Sequence, residues 1–204
     1  MTLHTIQTVL FSPDSFFARR KSAPALVLPV LVVACVGLLD VVEPLLAMVV
    51  LDANDPKNFL PTVVGVGFVL TFVVWLFYSV AFYAISSLFD AEGSLRDTMA
   101  VTGWGYLPSI IHSALMLVVV AVELDPSSAG IAGPQPTMEM LAGGAVGSLL
   151  LRLVGLLFAL WRAYIWVAGV QHVRNVTRRQ AIVSVGIPVA IVIIPSLLGV
   201  SFPV

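Results

Sequence analysis

Four charged side chains interrupt the long apolar runs of this sequence: Asp40, Glu43, Arg152 and Arg162. Burying a charge in a bilayer is costly, so such side chains usually face the interior of a helix bundle, where they pair or mark an ion or proton pathway. Asp40 and Glu43 lie one helical turn apart and therefore share a helix face. These four side chains are the first candidates for a functional site.

Depth in the membrane favours one particular pair. Counted from the outer ends of their apolar runs, Asp40 and Arg152 both lie roughly 16 Å deep at a rise of about 1.5 Å per residue. The leading interpretation is a structural ion pair between these two side chains. The alternative is a proton or ion pathway through Asp40, Glu43 and His112.

The sequence around these charges is that of a membrane protein. Of 204 residues, 59% are apolar and 10% are charged, whereas soluble domains carry roughly 25% charged residues. Five apolar runs are each long enough to cross a bilayer as a helix; they cover about 24 to 51, 61 to 89, 103 to 122, 141 to 171 and 181 to 200. The predicted fold is all-α, a single polytopic membrane domain of five transmembrane helices over residues 1–204.

Basic residues are unevenly divided between the loops. Seven lie before the first span or in the second and fourth loops: Arg19, Arg20, Lys21, Arg96, Arg174, Arg178 and Arg179. The remaining loops and the tail hold Lys57 alone. The positive-inside rule therefore predicts a cytoplasmic N-terminus, an external C-terminus and a cytoplasmic basic loop formed by Arg174, Arg178 and Arg179.

Residues 1–23 precede the first span and are predicted to form interfacial helices. Ser12 is placed as the N-cap of a second short helix, with Pro13 at its first position. An apolar face followed by basic residues is typical of helices that lie on the inner leaflet. The apolar residues that form this face recur at helical spacing: Leu3, Ile6, Val9 and Leu10.

A short cytoplasmic helix is predicted between the second and third spans. Ser94 and Asp97 have the spacing of a capping box, in which each side chain bonds to the other residue's backbone amide. The helix is expected to begin at Leu95 and to end near Gly103.

The next residues, in the stretch GWGYLP, are predicted to form a hinge. Gly103 and Gly105 permit unusual backbone angles, and Pro108 cannot donate to the carbonyl of Trp104. Trp104 and Tyr106 are expected to anchor the hinge at the headgroup level. Broken helix entries of this kind occur at transporter binding sites and also as simple kinks.

Other functional classes find little support in the sequence. No zinc-protease, nucleophile-elbow or phosphate-loop motif is present, so no enzyme activity, metal or cofactor is predicted. The low content of basic residues argues against a nucleic-acid partner. Cys35 is expected to be a small buried residue. Gly143 and Gly147 form a small-xxx-small pattern suited to an internal helix contact or to a homo-oligomer.

Three segments resemble the Yip family, which is named for interaction with Ypt/Rab-type GTPases. They are "LFSPDSFF", "GWGYLPSII" and "WRAYIWVAGVQHVRNVTRRQAIVSVGIPVAIV". Their order is similar to that in the prokaryotic members, and the "DLYGP" segment of the eukaryotic members is not found. The resemblance implies five spans, a cytoplasmic N-terminus and an external C-terminus.

The function predicted from all this is a non-enzymatic interaction or membrane-organising role in the cell membrane. The lipid bilayer is one partner, and a protein bound at the cytoplasmic face is the other. The alternative is a small transporter or channel that uses Asp40 and Glu43. A continuous polar cavity reaching Asp40 or Glu43 would favour transport, and a dry bundle would favour the interaction protein.

Overall fold

The computed structural model describes residues 3–19, 25–50, 56–123 and 144–197. Every regular element in these ranges is an α-helix, so the predicted all-α class is confirmed. The helices are α1 (Leu3–Phe11), α2 (Pro13–Ala18), α3 (Val27–Val50), α4 (Pro56–Ser87), α5 (Leu95–Trp104), α6 (Leu107–Glu123), α7 (Gly144–Val173) and α8 (Arg178–Leu197).

Each of the five predicted apolar runs overlaps one of the longer helices, namely α3, α4, α6, α7 and α8. Three segments of the described chain are long and apolar enough to cross a membrane: Val64–Ser87, Leu95–Val119 and Leu149–Val173. Within the part of α3 whose side chains are described, the apolar helical stretch covers Val27–Val42. The chain is therefore an all-helical membrane protein, while crossing of the bilayer by α3 and α8 stays a prediction.

The capping box predicted for α5 is present. Ser94 Oγ accepts a 3.2 Å hydrogen bond from the Asp97 amide, and Asp97 Oδ2 accepts one of 3.0 Å from the Ser94 amide. The helix does not lie on the surface, however. Its residues from Thr98 to Trp104 are almost all buried, because α5 packs against α3, α4 and α7.

The two N-terminal helices form as predicted and dock onto the bundle. Ser12 occupies the N-cap of α2, although its side chain makes no capping bond. Val9 and Phe17 are buried, and the Phe16 ring meets Trp104 edge-on with 5.5 Å between centroids. The apolar face of these helices is thus covered largely by the protein.

Two further contacts hold the N-terminal helices to α7. Trp161 Nε1 donates a 3.0 Å hydrogen bond to the carbonyl of Leu10, and His172 Nε2 lies 2.8 Å from Oδ1 of Asp14. In contrast, Cys35 was expected to be buried, and it is exposed on α3.

Candidate functional site

A cavity of about 460 Å³ lies among α3, α4, α6 and α7. Its lining includes a carboxyl group, a guanidinium and an imidazole, each from a different helix: Asp40 of α3, Arg162 of α7 and His112 of α6. Hydroxyl groups complete the polar part of the lining: Thr71, Tyr106, Ser109 and Ser113. Polar groups of this number inside a membrane bundle mark the cavity as the candidate functional site.

A hydrogen bond from α6 holds the side chain of Asp40 at the cavity. Ser113 Oγ donates a 2.7 Å hydrogen bond to Oδ1 of Asp40, and no other hydrogen bond to this carboxyl is formed by the described residues. His112 lines the same cavity and packs its ring against Phe158, with 5.1 Å between centroids. The carboxylate therefore keeps free acceptor capacity.

Arg162 lies beside two aromatic rings, one in the turn between α5 and α6 and one on α7. Its guanidinium carbon is 5.5 Å from the ring centroid of Tyr106 and 5.5 Å from that of Trp166, distances typical of cation–π contacts. Its one hydrogen bond to a described residue is weak, from Nη1 to Ser109 Oγ at 3.4 Å. A guanidinium carries several more N–H donors, which are free to bind other groups.

The chain breaks between α5 and α6 where it reaches this cavity. Gly105 directly follows α5 as its C-cap, and its backbone angles, φ −65° and ψ −12°, are ordinary helical values. The amide of Gly105 bonds to the carbonyl of Val101 and that of Tyr106 to the carbonyl of Gly103, each at 3.1 Å. Both amides are therefore bonded, and the break is a tight turn. Pro108 falls in the first turn of α6, where proline is tolerated.

Close approach explains the two glycines of the break better than unusual backbone angles do. A Cβ at Gly103 would lie 2.6 Å from Cβ of Pro29, and one at Gly105 would lie 1.9 Å from Nε1 of Trp166. That Trp166 nitrogen donates a 2.8 Å hydrogen bond to the carbonyl of Thr102. The glycines thus let α3 and α7 pack directly against α5.

The two aromatic residues of the break are buried in the bundle. Trp104 is 0% exposed and Tyr106 is 3% exposed, so the predicted anchoring at the headgroup level is wrong. Trp104 Nε1 and the Tyr106 hydroxyl both lack a hydrogen-bond partner among the described residues. Because Tyr106 lines the cavity, its buried hydroxyl is a further group whose partner would have to come from a bound molecule or water.

The predicted pairing of Asp40 with Arg152 is wrong. Within the described ranges no ion pair joins the two side chains, Arg152 is exposed, and it is not among the residues that line the cavity. Arg162 is the arginine that shares the cavity with Asp40.

Two other predicted groups fall outside what the structure describes. Glu43 belongs to α3 by its backbone, but its side chain is not described. Gly143 precedes α7 and is likewise outside the described residues, and the surroundings of Gly147 are not described. The pathway role of Glu43 and the oligomer contact of the two glycines stay predictions.

Arg174 differs from the other members of the predicted basic loop. Arg178 and Arg179 are exposed, whereas Arg174 is 1% exposed. Its Nε donates to Ser86 Oγ at 3.0 Å, its Nη2 to Ser87 Oγ at 2.8 Å and its Nη1 to the carbonyl of Gly93. Burial lowers the pKa of this guanidinium below its ordinary value.

We call Arg174 with its three partners the Arg174 clasp. It joins the loop after α4 to the loop after α7, and the amide of Glu92 adds a 3.0 Å bond to the Arg174 carbonyl. Gly93 has φ +82°, and a Cβ there would lie 2.5 Å from the Val173 carbonyl oxygen. Together with the contact of Asp14 to His172, the clasp places the N-terminal helices and both loops at one end of the bundle.

Sequence reasoning missed the hydroxyl groups of the cavity. Ser109 and Ser113 lie four positions apart on α6, and His112 lies beside Ser113 on the same apolar helix. Residues at this spacing share a helix face, so a polar stripe on α6 was the available signal.

Comparison with known proteins assigns the chain to a family. The profile described as the Yip1 domain matches residues 8–199. The chain belongs to the Yip1 domain family. This Yip1 domain protein is 26% identical, over 129 residues, to an uncharacterised protein of Methanocaldococcus jannaschii; the match covers 59% of the present chain and 91% of the archaeal one. No solved structure matches the chain.

Proposed function

We propose that this Yip1 domain protein is a small membrane transporter or channel, whose polar cavity binds a small solute on its way across the bilayer. The observation that carries the proposal is the cavity itself, which Asp40, His112 and Arg162 line together from three helices. A dry, closed bundle would have favoured the interaction role instead. The proposed role is non-enzymatic.

The discontinuous helix beside the cavity supports the same proposal. In many transporters, substrate sites form where a membrane helix is interrupted and its half-helix ends face the bound solute. Here α5 ends and α6 begins at the cavity. Tyr106, in the turn between them, and Ser109, in the first turn of α6, contribute to its lining. A simple kink would not need to coincide with the charged groups.

For transport we further propose that all five long helices cross the bilayer, with the N-terminus inside the cell and the C-terminus outside. The basic residues near the bundle end that carries the Arg174 clasp support this orientation, since Arg19, Arg96, Arg178 and Arg179 are all exposed. The cell membrane is the proposed location.

Solute uptake into vesicles tests the proposal. Vesicles with the reconstituted protein would be mixed with urea, glycerol, glycine, acetate or methylammonium, and swelling would be followed by light scattering. We expect at least one solute to enter faster than in protein-free vesicles. Arg162→Gln should change that rate, whereas Arg152→Gln, on the same helix but outside the cavity, should not. Equal rates for all vesicles, or equal effects of both variants, would contradict the proposal.

An interaction role at the cytoplasmic face is the second candidate function. It is favoured by the exposed Arg178 and Arg179, which begin α8 directly after the loop that the Arg174 clasp immobilises. A fixed pair of arginines suits an acidic protein surface. Arg178→Glu with Arg179→Glu should abolish chemical crosslinking to a cytoplasmic partner in cells while leaving solute uptake unchanged. Unchanged crosslinking would exclude these arginines as the contact.

A further inference from the structure

The cavity carries two opposite charges that do not satisfy each other. Among the residues that the structure describes, no ion pair joins Asp40 to Arg162, although both line the same cavity. Asp40 has one hydrogen-bond donor, Ser113, and Arg162 has one distant acceptor, Ser109. Charges left in this state inside a membrane protein are costly unless water or a ligand completes their bonding.

The Arg162 side of the cavity is suited to an anionic group. The guanidinium provides free N–H donors, and the Tyr106 hydroxyl, buried and without a described partner, provides another. Ser109, in the first turn of α6, lines the same cavity, and the N-terminus of a helix carries a partial positive charge. The rings of Tyr106 and Trp166 beside Arg162 fix the position of the guanidinium.

The Asp40 side is suited to a group that donates hydrogen bonds and carries positive charge. Its carboxylate keeps free lone pairs after accepting from Ser113. Ser113 and His112 lie beside it, and both can act as acceptors. An ammonium group matches this environment, because it offers donors in several directions and neutralises the carboxylate.

A ligand of a single charge would be attracted at one side of the cavity and repelled at the other. An anion bound at Arg162 would also lie in the field of Asp40, and a cation bound at Asp40 would lie in the field of Arg162. A molecule that carries both charges is favoured at both sides, and this double requirement also rejects simple ions.

Building on the proposed function, we infer that the cavity binds a zwitterion, a small group in which an ammonium and an anionic oxygen group are joined by a short linker. Arg162 with Tyr106 holds the anionic group, and Asp40 with Ser113 holds the ammonium. A free amino acid and the headgroup of phosphatidylethanolamine share this chemistry.

Thermal unfolding of the intact protein, followed by tryptophan fluorescence, tests the inference. In detergent free of aminolipids, the probes are glycine and β-alanine, compared with an equal concentration of acetate plus methylammonium. In nanodiscs, phosphatidylethanolamine is compared with phosphatidylglycerol. We expect a saturable rise of the melting temperature with the zwitterions that their separated halves do not reproduce. A rise with phosphatidylethanolamine alone would identify the lipid as the source and would still support the zwitterion.

The cavity variants give the decisive comparison. Asp40→Asn and Arg162→Gln should each abolish the rise, whereas Arg152→Gln should keep it. Arg162→Lys replaces Arg162→Gln if the latter does not fold, and it should weaken the rise because it keeps the charge without the planar fork of donors. The inference is overturned if acetate alone or methylammonium alone stabilises as well as the zwitterions, or if no probe stabilises. The proposed function would still be tested by the uptake of urea and glycerol, because these solutes are neutral and do not depend on a zwitterion site.

Discussion

Ser113 Oγ donates a 2.7 Å hydrogen bond to Oδ1 of Asp40, which joins α6 to α3 at the side of a polar cavity. This contact replaces the ion pair that depth alone predicted for Asp40. It also leaves the negative charge uncompensated by a direct cation among the described residues, so the carboxylate remains available to a ligand.

Removing this hydroxyl should destabilise the bundle moderately. Hydrogen bonds to a charged group contribute about 1.5 to 3 kcal/mol, and water in the cavity can replace part of that, so Ser113→Ala should cost about 1 to 2 kcal/mol. The control is Ser79→Ala, because Ser79 Oγ donates only to the Trp75 carbonyl of its own helix. Denaturant unfolding in mixed micelles measures both, and an equal or smaller loss for Ser113→Ala would show that the contact is unimportant.

The packing at the break between α5 and α6 predicts that alanine destabilises the protein far more at one glycine than at another. Gly105→Ala places a methyl group against Trp166 and displaces its bond to Thr102, which should cost about 2 to 4 kcal/mol. Gly186 in α8 has open space where a Cβ would lie, so Gly186→Ala should be neutral or stabilise by up to about 1 kcal/mol. Melting temperatures compare the two, and equal tolerance would refute the close approach.

The Arg174 clasp predicts that replacing Arg174 destabilises the protein far more than replacing Arg178 of the same loop. Arg174→Met leaves the hydroxyls of Ser86 and Ser87 and the Gly93 carbonyl without their donor, a loss of about 3 kcal/mol. Arg178→Met changes an exposed side chain and should stay within about 0.5 kcal/mol. Hydrogen exchange of the loop after α4 should rise in the first variant only. If both variants exchange alike, the clasp does not hold the two loops together.

The predicted orientation is tested by reporters of membrane sidedness. A reporter fused after Val204 should be external, and one inserted near Arg178 should be cytoplasmic, because the basic residues favour that side. Asn175 begins an N-x-T sequon and should stay unmodified by glycosylation enzymes for the same reason. Reversed reporter signals would rule out the five-span arrangement.

The helices and their ends were predictable because local signals specify them. Apolar runs interrupted by proline and glycine gave the long helices, and the Ser94 to Asp97 spacing gave the start of α5. The burial of α5 was not predictable from its polar residues. Thr98 and Thr102 satisfy their hydroxyls on carbonyls of their own helix, at 3.2 and 2.8 Å, which allows them to lie inside the bundle.

The candidate site was predictable only in part. Asp40 and Arg162 were found as charges within apolar runs, but depth counting chose Arg152 as the partner. Which arginine faces α3 depends on the rotation of α7 in the bundle, which tertiary packing decides and local sequence does not.

Thiol labelling tests whether water and solutes reach the cavity beside Asp40, as transport through it requires. In a Cys35→Ala background, Ser113→Cys would be compared with Ile111→Cys and Leu115→Cys, whose native side chains are exposed on α6 outside the cavity lining. The account predicts that a hydrophilic thiosulfonate modifies the cysteine at 113 at least about tenfold faster, because a reactive thiolate forms only where water reaches the sulfur. Equal or slower labelling at 113 would mean a dry bundle and would contradict the account.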